Sequence, residues 1–563
     1  MDNKKIVIVG GVGGGASVAA RVRRLDEFAD ITMFEKGPNV SFSNCSLPYH
    51  LSGVIPNADD IVLKTPEQFK NQYNIKAVVN SEVISADPKD KTVRVKNTET
   101  GEITKHTYDE LVLSPGAKPI MPTTIKGIEK ENVFSVRNVV DIKKIQKYLT
   151  DKKVSDVAVI GGGFIGLEVC ENLVEAGKNV SIIEASSQVL QTLDDDFAQL
   201  VHKNLYDHGV NLILDDGLSE ISDTEVTLAS GKKIKAQAVI MAIGVQPETT
   251  LATKIGCKLG STGGIAVDQH FETSIPHVYA VGDAIEVTNR LTRKKTRLAL
   301  AFPAQIQARD VADHIYGRKV NNRGVIGTSV IHLFDLNVSS TGLTEKVCRS
   351  EGIDYRCAIV IPQNRVSIMP NTSPIFFKLI FAYPSGEILG AQAVGQSSVD
   401  KQINVIATMI SMNGNISDLT HLELAYSPWF STAKNAVNMA GLVAENILNG
   451  EYPTIPVTKV RQLVENDAFI IDAREPNEYQ AGHIINAVNI PLSQFRQRLD
   501  EIPTDIPVYI HCQSSQRSYN MVRALINRGF TNITGISGSF LELSNYEYFK
   551  DQTTGRKPII TME

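Results

Sequence analysis

No two of the six cysteines stand as a Cys-x-x-Cys pair. Zinc ribbons and thioredoxin-type redox motifs are built on that spacing, so its absence argues against both, and no metal site is expected. Tryptophan occurs once, at Trp429. Neither charge sign dominates: 57 Lys and Arg stand against 62 Asp and Glu, a formal net charge of −5, which invites neither nucleic acid nor an anionic membrane. No apolar run approaches the ~18–20 residues of a membrane span. The start, "MDNKKIVIVGG", reads as a strand entering a turn and lacks the features of a signal peptide, so a cytosolic protein is expected. There is no low-complexity segment.

What the chain does have is length and glycine. Its 563 residues exceed what one core supports, which predicts three or four domains, and 42% hydrophobic with 21% charged residues is ordinary for globular protein. "KKIVIVGGVGGGASVAARVRRL" is an apolar strand, a glycine turn and an amphipathic helix, followed by "DITMFEKG", a strand ending at Glu35. "SDVAVIGGGFIGLEVCENLVEAG" and "NVSIIEAS", ending at Glu184, repeat the pattern. Two βαβ dinucleotide units are therefore expected.

In the second unit Gly161, Gly163 and Gly166 have strict G-x-G-x-x-G spacing, which lets the backbone approach a pyrophosphate at a helix N-terminus. The first unit is irregular. Read from Gly10, the second position is Val12 and the third Gly15; read from Gly11, the glycines are Gly11 and Gly13 with Ala16 third. Both registers remain open at this level. Glu35 and Glu184 lie where a ribose partner is expected. "TSIPHVYAVGDAIEV" (273–287) is another apolar strand, ending at Asp283, which can bind sugar-like hydroxyls or cap a helix.

From about residue 325 the pattern becomes β-rich, as in "GTSVIHLFDLNVSSTGL" and "IFFKLIFAYPSGEILGAQAVG". "NILNGEYPTIPVTK" (446–459) reads as a linker, and a short α/β unit follows, "AFIIDAREPNEYQAGHIINAVNIPL" with "PVYIHCQSSQRSYNMVRALINRGF".

These motifs, with "SFSNCSLPYHLSG", "LVLSPGAKP", "VYAVGDA" and "LELAYSPWFSTAKNAVNMAG", give about the first 445 residues a resemblance to the pyridine nucleotide-disulfide oxidoreductases. The chain is similar to their single-cysteine branch, that of coenzyme A disulfide reductase. Residues 458–563 resemble a rhodanese domain, and the fusion is similar to rhodanese-bearing coenzyme A disulfide reductases, NADH-dependent persulfide reductases included.

The resemblance implies an α/β protein with two Rossmann-like domains, an α+β dimerisation domain and a C-terminal α/β rhodanese domain. The FAD domain is expected at 1–118 and 245–322, the NAD(P)H domain at 119–244, the dimerisation domain at 323–446, a linker at 447–457 and the rhodanese domain at 458–563. FAD would be held by Gly10, Gly11, Gly13, Gly15, Glu35 and Asp283, and the nicotinamide cofactor by Gly161, Gly163, Gly166 and Glu184. A homodimer is expected.

Lipoamide-type relatives carry two cysteines where "NVSFSNCSLPYHLS" has only Cys45. The resemblance implies that the second thiol belongs to coenzyme A, which forms a mixed disulfide with Cys45. A helix N-terminus in this polar turn would favour the thiolate. Ser41 and Asn44 match the family's S-x-x-N-C pattern as substrate-binding donors, and Tyr426 matches an active-site tyrosine able to act as general acid. Ile368, Met369 and Trp429 depart from the family pattern. Of the basic run Arg21, Arg23 and Arg24, ordinarily a solvated face, Arg21 is expected to meet the phosphates of coenzyme A.

In the rhodanese-like segment Cys512 and Arg517 have the family's separation, and Cys512 is expected to hold sulfane sulfur within a ring of backbone N–H groups, with Arg517 binding substrate and Ser518 opening a helix. Ser515 stands where glycine is common and would be strained if that position needs φ > 0. Asp472, Arg474, Glu478 and His483 fit a structural network, and Cys170 a core position. Glu184, with no arginine following at once, favours NADH over NADPH.

An NADH oxidase or peroxidase cycling Cys45 through a sulfenic acid is the competing expectation. Peroxidase relatives carry a histidine in the first glycine turn, which "GGVGGGAS" lacks. A non-catalytic redox sensor or sulfur carrier is the third, opposed by the presence of both thiols and both nucleotide turns.

Overall fold

The fold is a computed structural model describing residues 3–562. It divides into two compact units, one of residues up to 185 plus 216–325, the other of residues 186–215 plus those from 326 onward.

In the first unit β1 (Lys5–Val9) runs into α1 (Gly13–Leu25) and β2 (Asp30–Phe34), followed by β3 (Lys76–Val78) and β4 (Glu110–Leu113). A second such unit holds β5 (Val133–Ser135), β6 (Asp156–Ile160), α2 (Phe164–Glu175), β7 (Asn179–Ile183) and β8 (Ala238–Met241). The chain returns with β9 (Val278–Ala280) and α3 (Ala301–Ile315). The first sheet is parallel, in the order β9-β4-β1-β2-β3. In the other, β6 lies between β7 and β8, and β8 pairs with β5, all parallel. Parallel sheets are covered on both faces, so their strands must be apolar throughout. Ile6, Ile8, Val112, Val159 and Ile240 are fully shielded from water, each such burial contributing about 1.5–3 kcal/mol.

The basic run on α1 is not a solvated face throughout. The Arg23 guanidinium is buried and donates to the carbonyls of Tyr73, Asp26, Glu27, Ala29 and Asn74 at 2.5–3.0 Å, pinning the end of α1 to the chain before β3.

In the second unit β10 (Thr328–Leu333), β11 (Leu336–Gly342), β12 (Tyr355–Val360), β13 (Ile375–Ala382) and β14 (Ile388–Gly395) form an antiparallel sheet in the order β10-β11-β14-β13-β12, followed by α4 (Val399–Ser411) and α5 (Ala436–Leu448). β13 is buried almost end to end, which carries Lys378 inside. Its ammonium is met by Asp196 at 2.6 Å, Glu345 at 2.9 Å and Asp194 at 3.5 Å.

The last elements are β15 (Thr454–Ile455), β16 (Phe469–Asp472), β17 (Val488–Asn489), β18 (Val508–His511), α6 (Gln516–Ile526), β19 (Ile533–Ile536) and α7 (Ser539–Thr554). Their sheet is parallel, in the order β15-β19-β18-β16-β17. Part of the expected linker is thus structured: Thr454–Ile455 forms an edge strand on β19, and its flanking prolines are tolerated because an edge leaves one side of the ladder unused. Among the described residues no helix is long and apolar enough to cross a membrane.

Candidate active site

Backbone packing decides the register of the first glycine turn. Gly10 and Gly161 both have left-handed φ, +96° and +105°, and a Cβ on either would strike a carbonyl oxygen of the neighbouring strand's exit, Ser114 at 2.1 Å and Ala242 at 2.5 Å. A Cβ on Gly15 would lie 1.9 Å from the Gly10 oxygen, and one on Gly166 2.0 Å from the Gly161 oxygen. Gly10, Val12 and Gly15 therefore correspond to Gly161, Gly163 and Gly166, with Val12 and Gly163 each capping its helix. The reading from Gly11 is set aside.

The acids repeat the symmetry. Glu35 Oε2 accepts the Gly11 N–H at 2.9 Å, and Glu184 Oε2 the Gly162 N–H at 2.7 Å. A Cβ on Gly163, the residue before α2, or on Gly13, the first residue of α1, would meet nothing within 4 Å, so each helix start is open, although the residue matching Gly163 in the first turn is Val12. Open helix starts fit the dinucleotides the family implies. Asp283 lies in the one-turn segment Gly282–Ala284 after β9, where the Gly282 N–H donates to Gln307 Oε1 at 2.8 Å. Burial pushes the Asp283 carboxyl up, with Arg137 opposing.

Ser41 ties the cysteine loop to the first turn. Its φ is +49°, its N–H donates to Gly11 O and its carbonyl accepts the Leu63 N–H, both at 2.8 Å. Cys45 follows in a single 3₁₀ turn, Asn44–Ser46, so the helix N-terminus expected to favour its thiolate is not there. Asn44 and Cys45 are exposed, and among the described residues no hydrogen bond reaches Cys45 Sγ. Partial withdrawal from water pushes the thiol up, and the carboxylates of Glu168 and Asp283 push it further.

Glu168 is the residue that sequence reasoning passed over. It lies on α2, the helix opened by the second glycine turn, and this helix packs against the 3₁₀ turn Pro48–His50 just after Cys45. Ser52 fixes the contact, donating to Asn172 Oδ1 at 2.6 Å. Burial, then Glu171, raises the Glu168 carboxyl to about 7. The i, i+3 pair Glu168 and Glu171 on a mostly apolar helix was the available signal. Tyr49 shares this neighbourhood, its phenol pushed up by burial and then by Glu168.

Arg21 does not stand free for a phosphate. Its Nη2 lies 2.5 Å and its Nε 3.0 Å from Asp313 Oδ1 on α3, with both side chains largely shielded. In the second unit Tyr426 is half exposed and its hydroxyl makes no hydrogen bond among the described residues. Trp429 and Phe430 beside it are also exposed, as is Ile368, while Met369 is half-buried.

Cys512 follows β18 and is buried. The backbone N–H groups of residues 513–518, in the loop that follows Cys512, have no protein acceptor among the described residues. The helix opens at Gln516 rather than Ser518, and Ser515, with φ +74°, does occupy the left-handed position that favours glycine. Glu478 holds Arg517 in a two-pronged pair at 2.6 and 2.7 Å, and the same guanidinium reaches Cys512. Glu478 thus supports the site directly. Arg474 grips Asp472 at 2.7 Å, donates to Gly482 O at 2.6 Å and lies 3.8 Å over the Phe540 ring. His483 stacks on Tyr479 with ring centroids 3.9 Å apart. His511 is wholly buried, which pushes its imidazole down. Cys170 is core, and burial pushes its thiol well up.

Three family profiles cover most of the chain: pyridine nucleotide-disulphide oxidoreductase over residues 4–308, its dimerisation domain over 328–437 and a rhodanese-like domain over 457–545. The reduced CoADR-RHD of Bacillus anthracis is 43% identical and superposes with a TM-score of 0.94, covering 97% of this chain and 99% of that one. A NAD-dependent persulfide reductase from A. fulgidus is 32% identical with a TM-score of 0.91, covering 96% and 99%. The coenzyme A disulfide reductase of Staphylococcus haemolyticus is 32% identical over 445 residues, 79% of this chain and 100% of that protein. With two matched nucleotide turns, a thiol loop and a second thiol heading a loop of unpartnered N–H groups among the described residues, the chain belongs to the pyridine nucleotide-disulphide oxidoreductases, as a flavin-dependent enzyme that carries a rhodanese-like domain behind its dimerisation domain.

Proposed function

We propose that this enzyme uses NADH to reduce coenzyme A persulfide, polysulfide and coenzyme A disulfides, with Cys45 as its one redox thiol and Cys512 handling sulfane sulfur. The observation that carries the reading is the solitude of Cys45. Among the six free cysteines it is the exposed one, the others being buried or half-buried, so its disulfide partner has to arrive with the substrate. The names of the coenzyme A disulfide reductase and persulfide reductase relatives support that substrate class.

The Cys45 thiolate attacks the sulfur–sulfur bond of the substrate. With coenzyme A persulfide or coenzyme A disulfide, a disulfide forms between Cys45 and coenzyme A, and hydrosulfide or a coenzyme A thiolate, respectively, leaves with the electron pair. Polysulfide enters as coenzyme A persulfide, after Cys512 has passed its sulfane sulfur to coenzyme A. FAD and NADH, when bound, supply the two electrons that return this mixed disulfide to two thiols. Gly10, Gly11, Gly13, Gly15, Glu35 and Asp283 hold the first cofactor; Gly161, Gly163, Gly166 and Glu184 hold the second. A carboxylate at Glu184 accepts a ribose 2′-hydroxyl and repels a 2′-phosphate, which supports NADH. Ser41 and Asn44 shape the substrate's approach to Cys45, and the Glu168 carboxyl, raised to about 7, adds to the burial that already opposes ionisation of the thiol. By the family's pattern Tyr426 is the candidate general acid. Arg21, committed to Asp313, is given no role in binding.

At the second thiol, Cys512 attacks a sulfane sulfur, forming a persulfide and releasing the donor's thiolate or sulfite, then passes that sulfur to coenzyme A. Arg517 and the free N–H groups hold the anionic sulfur. The dimerisation domain and the exposed aromatics at 426–430 support a homodimer.

The test is NADH oxidation without oxygen, with coenzyme A persulfide, coenzyme A disulfide and hydrogen peroxide offered separately to the native enzyme, Cys45→Ser and Cys512→Ser. Turnover on persulfide or disulfide that vanishes in Cys45→Ser is expected. Turnover on peroxide alone would sink the reading and make Cys45 a sulfenic acid centre.

A further inference from the structure

Ser515 and Ser539 lie far apart in sequence, yet both adopt left-handed φ, +74° and +55°, which disfavours any residue with a side chain. Their hydroxyls meet at 3.2 Å. Ser539 is wholly buried and its hydroxyl is saturated. It donates its one proton to Ile536 O at 3.2 Å, so it can only accept from its two other partners, the Cys512 N–H at 3.3 Å and the Ser515 hydroxyl. The next two residues extend the grip: the Phe540 N–H donates to Cys512 O and the Leu541 N–H to Gln513 O, each at 3.0 Å. The first turn of α7 therefore holds Cys512 by both its N–H and its carbonyl, and holds Ser515 by its hydroxyl. Among the described residues the N–H groups of 513–518 have no protein acceptor.

We propose that Ser539 is a positioning residue for Cys512, joining that cysteine and the left-handed Ser515 into one fixed loop so that the free N–H groups keep their places around the sulfur. This deepens, and rests on, the reading of Cys512 as the carrier of sulfane sulfur. Each strained serine supplies a hydrogen-bond partner to the other, so the pair acts as a unit. Without the Ser539 hydroxyl the Cys512 N–H loses its acceptor and the Ser515 hydroxyl loses its partner, leaving Ser515 held, among the described residues, only through its carbonyl, which accepts from Ser518 Oγ and the Tyr519 N–H.

Ser539→Ala keeps the Cβ and the backbone demand and removes only the hydroxyl. It is compared with Ser515→Ala and the double variant in the full-length, flavin-loaded chain carrying Cys45→Ser. Sulfur transfer from thiosulfate to cyanide is followed, together with uptake of sulfur by Cys512 from polysulfide, read by mass spectrometry. The expected result is a kcat about three- to tenfold lower in each single variant, KM within about twofold, and a double variant no worse than the singles. A residue with a merely structural role would lower the melting temperature and leave kcat per folded molecule unchanged. That outcome, or losses that multiply in the double variant, overturns the inference while leaving the carrier reading standing. If Cys512 takes up no sulfur even in the native loop, the carrier reading fails and the inference falls with it.

Discussion

Gly15 stands so close to Gly10 that a Cβ on it would lie 1.9 Å from the Gly10 carbonyl oxygen, and Gly166 stands against Gly161 in the same way at 2.0 Å. No rotamer relieves a Cβ clash with backbone, so alanine at either position must push its helix away from its strand. Gly15→Ala is expected to be purified nearly free of flavin, read as visible flavin absorbance relative to protein absorbance. Gly166→Ala should keep its flavin and lose NADH binding, read by fluorescence titration. The reverse pattern would mean that the two turns have been assigned to the wrong cofactors.

Glu168 opposes ionisation of the Cys45 thiol, and its own carboxyl sits at about 7. As pH rises through that value Glu168 becomes charged, where its charge resists the thiolate most. Glu168→Gln should therefore alkylate Cys45 about three- to tenfold faster at mildly alkaline pH. Stability follows the same proton. Between its ordinary 4.5 and about 7 the folded chain holds this proton more tightly than the unfolded chain, so stability falls as pH rises across that window. In Glu168→Gln that decline should be shallower in urea unfolding at a series of pH values. Unchanged alkylation and an unchanged slope together would remove Glu168 from the site.

The contrast between Glu35 and Glu168 marks how far sequence could reach. Glu35 was readable because strand, turn, helix and acid are one local motif, whose hydrogen bond to the Gly11 N–H spans 24 residues. The left-handed Ser515 was readable for the same reason, as a position in a short loop. Glu168 and Cys45 belong to different βαβ units and meet only through packing of α2 on the cysteine loop. The ion pair of Arg21 was not readable because its partner Asp313 lies 292 residues away, and nothing beside Arg21 announces a carboxylate. The register of the first turn was undecidable locally because a run of glycines satisfies two spacings. The carbonyls of Ser114 and Gly10 chose between them.

Lys378 is enclosed in β13 with three carboxylates for company. Removing the ammonium leaves Asp194, Asp196 and Glu345 without their shared counter-charge in a place water hardly reaches. Lys378→Met is expected to cost about 3–5 kcal/mol in urea unfolding. Asp196→Asn added to it should recover part of that loss, because one fewer buried charge then needs compensation. A double variant as unstable as the sum of the two singles would show that the cluster does not act as one network.

Glu478 and Arg517 form a two-pronged pair at the mouth of the Cys512 loop, and the hydrogen bonds from Arg517 hold the Glu478 carboxyl below its usual range. A lowered carboxyl stabilises the fold above its ordinary value of 4.5 and ceases to as pH falls through the lowered one, so the pair should fail only in acid. Both partners are partly solvated, so stability should change by about 1 kcal/mol or less in Glu478→Gln. Function should change more, because the fork of Glu478 aims a guanidinium that reaches Cys512. Glu478→Gln and Arg517→Lys, which cannot reproduce the fork, are each expected to slow sulfur transfer several-fold with little loss of folded protein. If Arg517→Lys transfers sulfur at the native rate, charge alone serves Cys512 and the geometry of the pair does not matter.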